Sequence, residues 1–161
     1  MITLVLGGAR SGKSAVAERM AGALHPPVTY LATMVVGDDP DLAARVQAHR
    51  ERRPAEWRTV DAGADLPGLV ARTPGPILID SLGPWVAAHA GAPIDATALT
   101  DALRRRDGDA IVVSEEVGLG VHPSSEAGRL FRDALGQLNQ AVAALADQVF
   151  WVVAGRTLRL D

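Results

Sequence analysis

The only lysine of the chain closes a glycine-rich octapeptide, Gly7-Gly8-Ala9-Arg10-Ser11-Gly12-Lys13-Ser14. Its spacing fits G-x-x-x-x-G-K-[ST], a loop whose backbone N–H groups wrap a polyphosphate. Lys13 has the reach to meet β- and γ-phosphates, and Ser14 offers a hydroxyl to Mg²⁺. The flanks suit the motif. Ile2-Thr3-Leu4-Val5-Leu6 is apolar and β-rich, and Ser14 to Ala21 are good helix formers. A helix starting at the loop adds positive potential where phosphates would sit. A glycine turn in an ordinary strand–helix unit would not need Lys-Ser at this spacing. The motif therefore implies nucleoside triphosphate binding.

A second constellation lies at residues 39–54. Asp39 suits an N-cap and Pro40 the first helical position, and Pro54 stops the helix. At 100° per residue, Leu42, Val46 and His49 share one face within about 60°. Arg45 and Arg53 lie one turn on either side of His49. Two readings stand. One is a half-buried helix histidine. The other is a nucleophile, since neighbouring guanidinium groups favour neutral imidazole and would gather around an anion.

Asp80 ends the apolar run Ile77-Leu78-Ile79. A carboxylate there serves either Mg²⁺ in a phosphate-loop site or the cap of the next helix. Beyond the strand 110–114 comes Glu115-Glu116-Val117-Gly118-Leu119-Gly120-Val121-His122-Pro123. Its place at the carboxyl end of a strand makes Glu116, Gly118 and Gly120 substrate-loop candidates, the alternative being a solvated connection. His25 and His89 stand beside turn residues and read as surface positions.

These groups need a scaffold. At 161 residues the length suits one domain with a substantial core, residues 1–161. Strand signals at 2–6, 28–32, 57–60, 77–80, 110–114 and 149–154 alternate with helical signals at 13–24, 40–53, 64–71, 82–89, 95–106 and 126–146. That alternation predicts an α/β fold with a parallel sheet wrapped by helices. Thr157 to Leu160 should return as a hairpin across Gly155-Arg156. In the last helix Phe131, Leu135, Leu138, Val142 and Leu145 form one apolar stripe facing the core.

Composition removes other functions. A net charge of −3 without a basic run argues against nucleic acid as the main partner. The absence of cysteine excludes disulfides, thiolate chemistry and Cys-ligated zinc. No apolar run approaches the ~20 residues of a membrane span, and the N-terminus enters a strand at once, so the cytoplasm is the expected location.

Several segments together resemble the bifunctional adenosylcobinamide kinase/adenosylcobinamide-phosphate guanylyltransferase family of cobalamin biosynthesis. They are residues 7–14, Tyr30-Leu31-Ala32-Thr33, Arg45 to His49, Arg53-Pro54 and Trp57-Arg58-Thr59. Later ones are Glu116 to Val121 with Pro123, Arg129 to Asp133, Gly136, Asn139-Gln140 and Val152 to Gly155. The resemblance implies a phosphate-loop, RecA-like sheet with a C-terminal antiparallel hairpin at its edge, in a homotrimer. It implies that GTP, or ATP in the first step, phosphorylates adenosylcobinamide with Mg²⁺. GMP from GTP is then joined to adenosylcobinamide phosphate. It makes His49 the guanylylated residue beside catalytic Lys13. Nucleotide contacts fall on residues 7–14, Ala32, Thr33, Met34, Arg50, Glu51, Arg52, Arg53, Asp61 and Asp80, with Ser14 and Asp80 toward the metal. The rivals are a monofunctional phosphate-loop kinase and a nucleotide-dependent switch or assembly ATPase.

The chain departs from that family in three places. Glu115 stands where Asn is common, adding a negative charge beside the phosphate site. The D-C-L-T-x-W-like segment reads Asp80-Ser81-Leu82-Gly83-Pro84-Trp85, and the region 86–106 is short.

Overall fold

The computed structural model describes residues 1–25, 27–34, 47, 53–89 and 94–160. The elements in order are β1 (Ile2–Gly7), α1 (Lys13–Ala21), β2 (Thr29–Ala32), β3 (Arg58–Asp61), α2 (Leu66–Arg72) and β4 (Ile77–Asp80). Then follow α3 (Leu82–Ala88), α4 (Ala96–Arg105), β5 (Ala110–Glu115), α5 (Glu126–Ala143), β6 (Gln148–Val153) and β7 (Arg156–Leu160). Most of the expected 40–53 helix, including Arg45 and His49, lies outside the described residues, as do Arg50, Glu51 and Arg52.

One sheet runs β3-β2-β4-β5-β1-β6-β7. All pairings are parallel except β6–β7, the antiparallel edge hairpin. The strands are short runs of branched apolar residues because both faces are covered. Leu4, Leu31, Ile77, Ile79 and Val112 pack on one face with α2, α3, α4 and α5. Val5, Tyr30, Leu78, Ile111 and Val113 pack on the other with Val16, Ala17 and Ala21 of α1. The strand period of two thus sends alternate residues into two cores.

Local chemistry sets the helix starts. Asp65, Asp95 and Ser125 accept from the amides of Gly68, Ala98 and Gly128, at 2.9, 2.9 and 3.1 Å. Two helices stop earlier than their periodicity predicts. α1 ends at Ala21, where Gly22 caps it and donates to Glu18 O at 2.9 Å. α5 ends at Ala143 rather than 146. Four residues on, Asp147 joins β1: its N–H donates to Ile2 O at 2.8 Å, and its carboxylate accepts from Ile2 N at 2.6 Å. Leu135, Leu138 and Val142 of the predicted stripe are buried, with Phe131 and Leu145 packed against the same core. His89 corrects an expectation. It is half-buried, with its ring edge-on to Trp85 at 4.9 Å and Nδ1 2.8 Å from Trp85 O.

Candidate active site

β5 lies between β1 and β4 in the sheet, so the carboxyl ends of all three strands are neighbours. This ordering brings Lys13, Asp80 and Glu115 together from positions far apart in sequence. The loop 7–14 enters α1 through a left-handed residue, Gly12, φ 91°, a conformation that glycine adopts without strain. The β6–β7 turn braces it. Gly155 N donates to Ser11 O at 2.7 Å, and a Cβ on Gly12 would press against Gly155 Cα at 3.2 Å. Ser11 is buried and accepts from Lys13 N at 3.3 Å through its hydroxyl.

The Lys13 side chain is only 12% exposed. Its ammonium stands 3.5 Å from Glu115 Oε1 and 3.4 Å from Gly8 O. Glu115 is itself held: Ser81 Oγ donates to Oε1 at 2.6 Å and Gly83 N to Oε2 at 2.9 Å. A Cβ at position 83 would collide with the Glu115 carboxylate. The two departures at 83 and 115 therefore meet in space. The expectation that Glu115 lies beside the phosphate loop holds, and its charge is already paired with the loop lysine.

Asp80 has a different set of partners. Ser14 Oγ donates to Oδ1 at 3.1 Å and Tyr30 Oη to Oδ2 at 2.7 Å. The side chain of Asp80 thus points to Ser14 rather than capping α3, whose N-cap residue is Ser81. Tyr30 is 3% exposed. Burial, then the negative charge of Asp80, pushes its phenol above the ordinary tyrosine value, so it remains a donor across the neutral range. Arg53 lies over the same ring, its Cζ 3.3 Å from the centroid, and its Nη1 donates to Thr59 Oγ1 at 3.1 Å. A chain of contacts therefore runs Arg53–Tyr30–Asp80–Ser14.

The other sequence candidates spread around this cluster. Parallel register puts Ala32 level with both Asp61 and Asp80 along the carboxyl edge. Thr33 is buried, its hydroxyl donating to Ser81 O and accepting from Ser81 N at 3.0 Å. Met34 is partly exposed beyond it, and Ala9 and Arg10 are exposed on the loop. Glu116 N donates to Gly7 O at 3.1 Å, and its Oε1 accepts from Gly118 N at 2.6 Å, which closes a local turn. Gly120 is exposed with open space above it. Residue type alone does not mark Tyr30 or Ser81 as parts of the site. The one sequence signal is a tyrosine in an apolar strand, whose hydroxyl must find a partner when buried.

The donor set beside the loop fits a magnesium ion. A serine hydroxyl and a carboxylate are hard oxygen ligands, and Mg²⁺ binds through one or two carboxylates with phosphates and water completing its shell. Among the described residues there is no group of three His, Cys, Asp or Glu able to hold a metal alone.

A family model described as cobinamide kinase / cobinamide phosphate guanyltransferase matches residues 3–160. The chain belongs to this family. It is 38% identical over 177 residues to the bifunctional adenosylcobalamin biosynthesis protein CobU of Salmonella typhimurium, covering 96% of this chain and 97% of that one. It is 38% identical over 169 residues to the bifunctional protein CobP of Pseudomonas aeruginosa, covering 99% and 97%. Among solved structures it resembles a prototypical ATPase of the type III secretion system of pathogenic bacteria, with TM-score 0.57 at 12% identity. That match covers 98% of this chain, which spans only 56% of the ATPase. The flagellar accessory protein FlaH of Methanocaldococcus jannaschii gives TM-score 0.50 at 13% identity, covering 97% and 74%. These neighbours share the phosphate-loop ATPase fold, and at such identity they share no more than that.

Proposed function

We propose that this enzyme phosphorylates the aminopropanol hydroxyl of adenosylcobinamide with a nucleoside triphosphate, and then joins GMP from GTP to that phosphate. The single observation that carries the nucleotide half is the cluster of Lys13, Ser14 and Asp80 around a phosphate loop, within a chain of this family. A bound triphosphate replaces Glu115 as the partner of Lys13. Ser14 and Asp80 would hold Mg²⁺, which would neutralise phosphate charge, and Tyr30 fixes the Asp80 carboxylate. Residues 7–12 and 32–34, with Asp61, line the nucleotide along the carboxyl edge of the sheet.

For the second reaction His49 is the nucleophile. Its imidazole attacks the α-phosphorus of GTP, a P–N bond forms, and the α–β bridging bond breaks with pyrophosphate as leaving group. The phosphate oxygen of adenosylcobinamide phosphate then attacks the same phosphorus, and imidazole leaves. Arg53 lies four positions after His49, with three residues between them, so at most about 14 Å of chain separates the two. Arg53 is pinned on Tyr30, which is bonded to Asp80, so the tether ends at the phosphate site. Arg50, Glu51 and Arg52 are assigned to nucleotide contact on the family resemblance.

The same reading places both steps in one domain, working in the cytoplasm as a homotrimer. Leu119 and Val121 on the 115–123 loop, and Leu158 on the edge strand β7, are 76%, 97% and 56% exposed, and such apolar surface suits subunit contact. No helix of the described residues is long and apolar enough to cross a membrane.

Incubation with α-labelled GTP and Mg²⁺ tests the assignment. The protein should take up one GMP per site in an acid-labile, alkali-stable bond and release pyrophosphate. His49→Ala should lose the label and guanylyl transfer while retaining phosphorylation of adenosylcobinamide. Labelling that survives in the variant places the nucleophile elsewhere. A wild type that phosphorylates but never labels is a kinase only.

A further inference from the structure

On the α5 side of the sheet, at the same carboxyl edge, lies a cavity of about 340 Å³ that the nucleotide chemistry does not use. Leu6, Val117 and Ala143 give it an apolar wall, and Asn139 and Gln140 give it amide groups. Gly136 also lines it. This glycine sits in the interior of α5, where it is a poorer helix former than alanine. No close packing requires it, because a Cβ there would meet nothing within 4 Å.

Asn139 is 8% exposed. Its Nδ2 donates to Glu115 O at 3.0 Å, while its Oδ1 is buried without a hydrogen-bond partner. A buried acceptor left in this way is costly unless something donates to it. The charged groups of the lining are engaged within the protein. Arg132 pairs with Asp133 at 2.8 Å and lies 3.0 Å from His122 Nδ1, and Glu116 bends back to Gly118 N. The cavity thus offers an exposed amide and an apolar wall, with Arg132 paired to Asp133 and Glu116 turned to the Gly118 amide at its rim. That chemistry suits a neutral group bearing both donors and acceptors, of which a primary carboxamide is the simplest.

We propose that this cavity takes a peripheral carboxamide arm of the corinoid acceptor, its amide bonding to the exposed Gln140, with Asn139 in the wall beside it. The inference rests on the acceptor being an amide-bearing corinoid, as in the function proposed above. The placement agrees with that role. Glu116, at the rim, donates to Gly7 O of the phosphate loop, and Asn139 holds the backbone of Glu115, whose carboxylate meets Lys13. A corinoid arm seated here is tied through two residues to the phosphate-binding loop.

Gly136→Leu adds bulk at the cavity lining with a good helix former, so the fold should not weaken. Gln140→Ala, at an exposed position, removes one polar partner without adding bulk. The KM for adenosylcobinamide should rise roughly tenfold in Gly136→Leu, as expected when the arm can no longer enter, and severalfold in Gln140→Ala. GMP labelling from GTP alone should stay within about twofold of wild type. The wild type should also discriminate against an analogue whose peripheral amides are hydrolysed to carboxylates, and Gly136→Leu should reduce that discrimination. An unchanged KM for the amide substrate in both variants, with labelling intact, overturns the inference while leaving the proposed function standing. A wild type that neither labels nor phosphorylates the corinoid overturns the function itself.

Discussion

Each end of the sheet holds a partly buried cation, and the two are held in opposite ways. At the amino end, Arg106 is ringed by backbone. Nη1 donates to Gly108 O and Asp109 O at 2.6 and 2.9 Å, and Nη2 to Thr73 O and Gly75 O at 3.2 and 2.5 Å. Burial lowers its pKa, and the nearby Asp109 and Asp107 oppose the shift. At the carboxyl end, Lys13 has one long contact to a carbonyl and one ion pair at 3.5 Å. A guanidinium whose two terminal nitrogens are each held by two main-chain oxygens ties the turns before β4 and β5 together. An ammonium held by a displaceable carboxylate can release it when a phosphate arrives. The difference separates a cation that supports the fold from one available for chemistry, although the two are similarly placed at strand ends.

Substituting each cation should sharpen or break that division. The largest effect belongs to Lys13→Ala. Removal of one electrostatic stabiliser of a transferring phosphoryl group costs roughly 10²–10³ in rate. Both transfer reactions should fall by that order while the melting temperature hardly changes. Turnover close to wild type would remove the loop from the mechanism. Arg106→Ala should show the reverse pattern. Hydrogen bonds from a charged donor are worth about 2 kcal/mol, which for a chain of this length lowers Tm by roughly 4–8 °C. Catalytic constants measured well below that Tm should be unaltered, and a selective loss of kcat would mean that the two ends are coupled. The smallest effect is that of Glu115→Asn. It removes the competitor for Lys13, and a partly exposed ion pair is worth up to about 1 kcal/mol, so triphosphate affinity should tighten by no more than about fivefold. Weaker binding would show that Glu115 organises the site rather than competing for it.

Much of this is legible in the sequence because it depends on local pattern. An apolar run ending in a carboxylate marks the strand at 77–80 to the residue, and spacing between strand and helix marks the phosphate loop. The C-terminal hairpin follows from the glycine between two β-rich runs, although the turn falls on Ala154-Gly155, one residue before the expected Gly155-Arg156, and Arg156 already pairs with Val153. The features that escape a reading of the sequence depend on strand order. The resemblance puts the charge of Glu115 beside the phosphate site, but not its pairing with Lys13. That contact arises because β5 pairs with both β1 and β4. Tyr30 finds Asp80 for the same reason, through the pairing of β2 with β4. Periodicity overruns the ends of α1 and α5, because the apolar pattern continues past the point where Gly22 or the pull of Asp147 toward β1 ends the helix. The cavity beside α5 leaves no trace in the sequence, since a glycine in a helix pattern carries no sign of whether its missing side chain leaves room for a ligand.

The meeting of Gly83 with Glu115 also constrains how the chain can have changed. With glutamate at 115, a β-carbon at 83 and the carboxylate claim the same space. Only glycine leaves both the carboxylate and its bond from the residue 83 amide in place. With a shorter side chain at 115 that restriction disappears. Any side chain at 83 obliges a glutamate at 115 to shift its carboxylate, so the two positions cannot be chosen independently.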